Sequence, residues 1–186
     1  MVKILAIDIG FASTGMAVLC VHQDGRAELH DARCLHTKPE HKKRGIYVSH
    51  DDTRRGREIT RGIWEYLMLN DCKGIVVELP SGGAQGAKAN RAMGIATGVM
   101  AALPTIIKMP VEYITPAESR KAAIGACTAP AGQNIKELVI DAMAKKYGAA
   151  LKQLPVKDRE HIADALATFE AARERQLVQV LAGSAS

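Results

Sequence analysis

Residues 2–10 read VKILAIDIG, an apolar run that contains one acidic residue, Asp8, and ends at Gly10. A short apolar run bounded by a glycine is typical of a buried strand. An unpaired carboxylate in such a strand costs several kcal/mol, so it is retained mainly where a hydrogen bond, a cation or a metal ion compensates its charge. The stretch therefore predicts a central strand and a site that includes Asp8.

Four further strands are expected. Apolar runs at 15–22 and 27–35 follow the first one closely, separated by small and polar residues, which favours an antiparallel three-stranded meander. The run IVVEL at 75–79 repeats the opening pattern, with the single acid Glu78 before Pro80. A short run at 111–114 completes the set.

Helices are predicted between and after these strands. Apolar residues at three- to four-residue spacing indicate a helix ending near Asn70, and a helix rich in small residues covers 88–103. Thr115, Pro116 and Glu118 have the spacing of a capping box. Two more helices cover 134–147, stopped by Gly148, and 157–175. We expect one α/β domain over 1–186, with a mixed five-stranded sheet flanked by helices and a flexible tail from about residue 178.

Composition limits the function classes. The chain has 186 residues, 47% of them hydrophobic, and a formal charge of +5, which favours polyanionic partners without selecting one. The four cysteines form no Cys-x-x-Cys pair, so reduced thiols are expected rather than disulfides or a zinc site. No apolar run is long enough to span a bilayer and no signal peptide pattern is present. We expect a soluble cytoplasmic protein with no membrane partner.

Acidic residues recur in three separate segments. Asp8 and Glu78 lie on predicted strands, while His161 and Asp164 lie three residues apart on the last predicted helix and so share one face. The neighbouring apolar residues turn that face towards the sheet. Three carboxylates and one imidazole would suit Mg²⁺ or Mn²⁺ better than zinc. Two such ions can activate water and stabilise the leaving oxygen in phosphodiester hydrolysis.

Each residue also has a simpler interpretation. Asp8 can hydrogen-bond the backbone of its own turn, Glu78 can pair with a lysine or arginine, and His161 can be a core histidine. Asp164 can be a surface acid. These explanations are independent of one another, so together they fit the pattern less well than one shared site.

An ordered set of motifs extends over about residues 2–175. It consists of Asp8-Ile9-Gly10 with Thr14-Gly15, Glu78 at the end of an apolar strand, Gly94-x-Ala96-x-Gly98, Tyr113-x-Thr115-Pro116, and HIADALA at 161–167. In order and spacing, the set resembles the RuvC family of Holliday-junction resolvases.

The resemblance implies an RNase H-like fold and a homodimer that resolves four-way DNA junctions by paired symmetric nicks, using Mg²⁺ (or Mn²⁺), with two ions per site and no nucleotide cofactor. Such an enzyme is a crossover junction endodeoxyribonuclease of DNA recombination and repair. By position, Asp8, Glu78 and Asp164 match the catalytic carboxylates and His161 the fourth metal-site position. Lys121 and Lys136 match basic residues near the scissile phosphate.

Two departures from the family keep other functions open. The loop after Glu78, LPSGG at 79–83, lacks the aromatic residue with which resolvases of this family often wedge into a junction. The turn between the helices of Lys121 and Lys136 is also longer. A broader debranching nuclease acting on flaps, Y-forms and three-way junctions remains an alternative, as does a non-cleaving module that binds branched DNA. An actin-like ATPase shares the opening turn but needs two such domains.

Basic residues predict the DNA-binding surface. Phosphate neutralisation supplies much of DNA affinity, and an aromatic content of 4% argues against extensive base stacking. Recognition of backbone shape is therefore expected. The candidate contacts are Lys38, Lys42, Lys43, Arg44, Arg54, Arg55, Arg57, Arg61, Lys88 and Arg91.

Overall fold

The computed structural model describes residues 1–40, 45–80 and 86–183. The strands are β1 (Val2–Asp8), β2 (Ser13–Val21), β3 (Ala27–His36), β4 (Gly74–Glu78) and β5 (Val111–Ile114). The helices are α1 (Val48–Leu69), α2 (Ala87–Ile107), α3 (Pro116–Ile124), α4 (Ile135–Tyr147), α5 (Val156–Ala172) and α6 (Gln176–Gly183), with a 3₁₀ helix at Ala149–Gln153.

The five strands form one mixed sheet in the order β3-β2-β1-β4-β5. β1 pairs with β2, and β2 with β3, in antiparallel fashion, whereas β1, β4 and β5 are parallel neighbours. The predicted sheet, with its first three strands antiparallel, is confirmed. β1 occupies the centre, which explains why its sequence is apolar on both faces.

Helices cover both faces of the sheet. Because side chains alternate along a strand, Ile4 and Ala6 of β1 face the core formed with α4, α5 and α6. Leu5 and Ile7 face the second core, under α1 and α2. Asp8 follows Ile4 and Ala6 in this alternation, so its side chain lies on the α5 side of the sheet.

The capping box at α3 is present as predicted. The Thr115 hydroxyl accepts a hydrogen bond from the Glu118 N–H, and the Glu118 carboxylate accepts one from the Thr115 N–H. α2 continues past the predicted end at 103, through Pro104 to Ile107. Proline lacks the N–H that would bond the Met100 carbonyl, and the Tyr113 hydroxyl donates to that carbonyl instead, at 3.4 Å.

The end of the chain, where a flexible tail is expected from about residue 178, forms the helix α6 up to residue 183. α6 places Val178 and Ala182 in the core. These apolar residues are four positions apart, so they lie on one face of the helix, which packs against the rest of the fold. Residues 184–186 lie outside the described part. Among the described residues, no helix combines the length and the apolar character needed to cross a membrane.

Candidate active site

Strand register places the first two acids side by side. Asp8 ends β1 and Glu78 ends β4, and the two residues are direct partners in the parallel pairing. In-register partners on neighbouring strands point to the same face of a sheet. Both carboxylates therefore lie at the carboxyl ends of their strands, on the face that α5 covers.

A glycine allows α5 to approach this row. Gly15 on β2 is the antiparallel partner of Asp8, and a Cβ atom built on it would lie 2.0 Å from the carbonyl oxygen of His161. Only glycine fits beneath the helix backbone at that point. The turn before it is closed by Thr14, whose hydroxyl donates to the Gly10 carbonyl at 2.8 Å.

α5 brings the remaining two residues to the strand ends. His161 Nδ1 lies 2.8 Å from Asp8 Oδ2, with the two side chains 29% and 19% exposed. Asp164, about one turn further along α5, lies close enough to Asp8 and Glu78 for its ionisation to depend on their charges. The structure thus brings together Asp8, Glu78, His161 and Asp164, partly open to solvent.

The environment disfavours full ionisation of Glu78 and Asp164. Burial, and then the Asp8 and Glu78 charges, raise the pKa of Asp164 to about 7. Burial also raises the pKa of Glu78 to about 7, with the Asp8 charge adding to it. Hydrogen bonds from the Ser119 and Thr168 hydroxyls act in the opposite direction on Glu78. Burial and the crowding of carboxylates therefore explain why the pKa values of both Glu78 and Asp164 are raised.

The pKa of His161 is also raised, because the imidazole is bonded to a carboxylate. Its hydrogen bond to Asp8 raises the imidazole pKa, against the effect of burial. Asp8 is therefore bonded to the helix rather than to its own turn, and His161 is half-buried and paired rather than a core histidine. Glu78 does interact with a cation, since the Arg120 charge lowers its pKa.

The donor set fits a hard divalent cation. It offers three carboxylates and one imidazole, and oxygen-rich sets favour Mg²⁺ or Mn²⁺. Burial raises the pKa values of Glu78 and Asp164 and mutual repulsion adds to it; a cation among these side chains would offset that repulsion. Asp8, Glu78 and Asp164 would hold it through oxygen, and His161 through nitrogen once its bond to Asp8 is released.

The two lysines differ in their relation to this cluster. Lys136 at the start of α4 forms an ion pair with Glu160. That bond raises the Lys136 pKa, and the Asp164 and Asp8 charges add to the effect. Lys121 is exposed on α3, where its neighbour Arg120 is the residue whose charge reaches Glu78.

The basic residues expected on a DNA-binding surface are not equivalent. Arg55 departs from the expectation, because its guanidinium lies 3.9 Å from the Phe11 ring centroid and donates to Thr37 Oγ1 and the Phe11 carbonyl. Arg54 is half-buried and paired with Asp51. The candidates Lys42, Lys43 and Arg44 lie outside the described residues. The exposed members are Lys38, Arg57, Arg61, Lys88 and Arg91, although Arg91 also forms an ion pair with Asp52.

Four of these five exposed cations line two grooves. Lys88 and Arg91 line a groove with Phe11 and Ala12, immediately after the strand of Asp8. Arg57 and Arg61 line another groove, between α1 and α2, beside Trp64. Only the first groove is lined by residues that follow the strand of Asp8 in the chain, Phe11 and Ala12.

Several residues near the cluster have no signal in the sequence pattern. Ser119 and Thr168 are buried hydroxyls that meet beside Glu78. Cys34, His36 and Asp158 form a second polar cluster on the same sheet face. His36 and Asp158 are 122 positions apart along the chain, so only pairing of β3 with β2 and packing of α5 bring them together.

Structural comparison identifies the fold, whereas neither a family model nor a curated protein sequence matches the chain. Thermus thermophilus RuvC, solved in complex with a Holliday junction substrate, shares 20% identity at a TM-score of 0.68, covering 98% of both chains. The yeast mitochondrial Holliday junction resolvase shares 11% at 0.63, over 92% of this chain and 78% of that one. The fowlpox virus resolvase, solved with Holliday junction DNA, shares 12% at 0.57, over 92% and 97%.

These likenesses cover nearly the whole chain and include the mixed sheet with its antiparallel first three strands. They confirm the resemblance drawn from the sequence motifs at the level of architecture. The chain has the RNase H-like fold of the RuvC-type Holliday junction resolvases.

Proposed function

We propose that this protein is a structure-selective DNA endonuclease that resolves four-way junctions by divalent-metal-dependent phosphodiester hydrolysis. The observation that carries the proposal is the meeting of Asp8, Glu78, His161 and Asp164 at the ends of β1 and β4. These side chains come from three elements distant in sequence, on a fold shared with proteins solved as Holliday junction resolvases.

The roles follow from the chemistry of the side chains. Asp8, Glu78 and Asp164 are the metal-binding catalytic carboxylates, and His161 is the fourth ligand. When bound, Mg²⁺ or Mn²⁺ would supply an activated water and charge stabilisation at the leaving oxygen, which two ions achieve together. Lys136, whose ion pair with Glu160 holds it beside the cluster, adds positive charge near the phosphate. Lys121, exposed on α3, is assigned the same role from its position in the family pattern.

Branched DNA would lie across the face that carries Lys88 and Arg91. Their groove begins at Phe11, three residues after Asp8, so a phosphate backbone held there passes close to the carboxylates. Lys38, just beyond the end of β3, adds an exposed positive charge. Such contacts bind phosphates without reading bases.

Paired nicks require two active sites, so the proposal includes a homodimer. Trp64 and Ile106 are 45% and 75% exposed on α1 and α2. They line one groove between these helices, on the face of the sheet opposite the carboxylates. A second copy packed there would bury this apolar surface and leave both active sites open. Light scattering of the purified protein measures the stoichiometry.

The decisive experiment is cleavage of an immobile four-way junction labelled on each strand in turn, with and without Mg²⁺. We expect paired nicks at symmetric positions that require the metal, and no nicks with the Asp8→Asn variant. A wild-type protein that binds the junction but produces no more nicks than Asp8→Asn would contradict the nuclease assignment.

A broader debranching activity is the second candidate, favoured by the absence of an aromatic residue from positions 79–83. Matched linear, flap, Y-form, three-way and four-way substrates separate the two functions. Strong preference for the four-way substrate supports junction resolution. Equal rates on all branched substrates would instead assign a general debranching enzyme.

A further inference from the structure

A second cluster of metal-ligating atoms lies outside the four carboxylate and imidazole residues. Cys34 and His36 on β3 and Asp158 on α5 each contribute one atom, and all three atoms lie within 4.8 Å of one another. The donors are sulfur, nitrogen and oxygen, so their chemistry differs from that of the oxygen-rich cluster at Asp8.

The fold places this cluster on the same sheet row as the catalytic carboxylates. Cys34 is the β-partner of Gly15, which is itself the partner of Asp8. Two strand spacings separate Cys34 from Asp8, or about 10 Å. α5 crosses the row over Gly15, so Asp158 projects towards Cys34 one turn before His161 reaches Asp8. The two clusters are therefore neighbours with separate ligands.

His36 is held at both ring nitrogens. Nδ1 lies 3.0 Å from the Ser13 hydroxyl oxygen, and Nε2 lies 2.6 Å from Asp158 Oδ1. Without a cation, the Nε2 contact to Asp158 is a hydrogen bond. A cation between Nε2 and the carboxylate would take the place of that proton, and Nδ1–H would then donate to the Ser13 oxygen. Metal-binding histidines commonly have this arrangement, with the second nitrogen fixed by an outer partner.

The three side chains are partly buried but remain accessible to solvent. The His36 and Asp158 side chains are 25% and 20% exposed, and Cys34 is a free, half-buried cysteine. A cation can enter from solvent and exchange part of its water shell for the three ligands.

We propose that Cys34 Sγ, His36 Nε2 and the Asp158 carboxylate form a binding site for a thiophilic divalent cation of the Zn²⁺ class. Three mixed S, N and O ligands with one position left open are a known zinc arrangement. Binding replaces the proton on the Cys34 thiol, which leaves to solvent. The site does not depend on the proposed nuclease activity.

The test uses Co²⁺ as a spectroscopic probe for Zn²⁺, titrated into the full chain under reducing conditions. A cobalt ion bound to a thiolate gives a near-ultraviolet charge-transfer band, which a site made only of oxygen and nitrogen ligands does not. We expect this band to saturate at one ion per chain, to disappear on addition of Zn²⁺, and to be absent from Cys34→Ser.

Matched variants separate this site from others. Cys127→Ser, which alters an exposed cysteine, should keep the band, and so should Asp164→Asn, which alters only the catalytic cluster. Ser13→Ala, which removes the outer partner of His36, should weaken Co²⁺ binding by about 10- to 100-fold. Circular dichroism shows that each variant is folded.

The absence of a charge-transfer band in the folded wild-type protein would overturn the proposal. So would a band that survives in folded Cys34→Ser, because another cysteine would then bind the cobalt. A band lost in Cys34→Ser but unaffected by both His36→Ala and Asp158→Asn would also reject the three-ligand site.

Discussion

Replacing Asp164 by asparagine should stabilise the metal-free protein at neutral pH while abolishing cleavage. Burial, together with the Asp8 and Glu78 charges, raises the Asp164 pKa from 3.8 to about 7. Above pH 7, the folded wild-type protein must therefore hold an unfavourable charge that the unfolded chain carries in water. Asparagine has nearly the same shape and no charge, so it removes this cost.

The magnitude follows from linkage. A difference of about three pH units corresponds to about 4 kcal/mol, at about 1.4 kcal/mol per unit. The cluster is partly open to solvent, so we expect about half of that, or about 2 kcal/mol. For a domain of this size, such a gain raises the melting temperature by about 4–8 °C.

The size of this stabilisation depends on pH. Because the folded-state pKa is raised, the native protein binds more protons than the unfolded chain between about pH 4 and pH 7, and wild-type stability falls as pH rises through that range. The advantage of Asp164→Asn should therefore be small at pH 4, grow up to about pH 7, and stay constant above it.

Thermal unfolding in EDTA at pH 4.5, 6 and 8 measures this effect. Glu65→Gln, which neutralises an exposed acid on α1, serves as the control and should show no comparable gain. Mg²⁺ should stabilise the wild type more than Asp164→Asn at pH 8. The reasoning is refuted if the variant is less stable than the wild type at pH 8, or if their difference does not change with pH.

Three more predictions follow from the same geometry. Gly15→Ala should destabilise the protein by about 3 kcal/mol or more in urea unfolding, because its Cβ would lie 2.0 Å from the His161 carbonyl oxygen. Gly94→Ala, in open space on α2, should instead gain about 0.5–1 kcal/mol, and equal effects would contradict this packing. Glu78→Gln should lose cleavage but keep junction binding in a gel-shift assay, and residual metal-dependent nicking would remove Glu78 from the site. The apparent Mg²⁺ affinity, measured by calorimetry, should decrease as the pH is lowered below about 7, since protons compete for Glu78, whose pKa is about 7. An affinity that stays the same from pH 5 to 8 would exclude Glu78 as a ligand.

Local sequence patterns anticipated much of the architecture. The strand at residues 2–8 follows from an apolar run closed by glycine, and the start of α3 from the spacing of Thr115, Pro116 and Glu118. Both depend on residues close in sequence, whose propensities and hydrogen bonds act locally. The packed helix α6 was missed, because its stability comes from burying Val178 and Ala182 against distant parts of the fold.

The sequence pattern marks the residues of the candidate site one by one, but it does not give their geometry. An acid at the end of an apolar strand is unusual enough for the sequence pattern alone to mark Asp8 and Glu78. The buried setting of Arg55, by contrast, depends on the Phe11 ring and Thr37. A pattern of charges along the chain does not show which cations have found internal partners.

The sequence by itself determined the order of the strands and of the helices up to α5, the central position of the Asp8 strand, and the identity of the four metal-binding candidates, because each leaves a mark in a short stretch of residues. Only the tertiary structure decided which groups meet. Register joins Asp8 to Glu78, the absence of a side chain at Gly15 lets α5 lie on the sheet, and the same crossing brings Asp158 to Cys34 and His36. These residues are far apart in the chain, and only the packed sheet and helix make them neighbours.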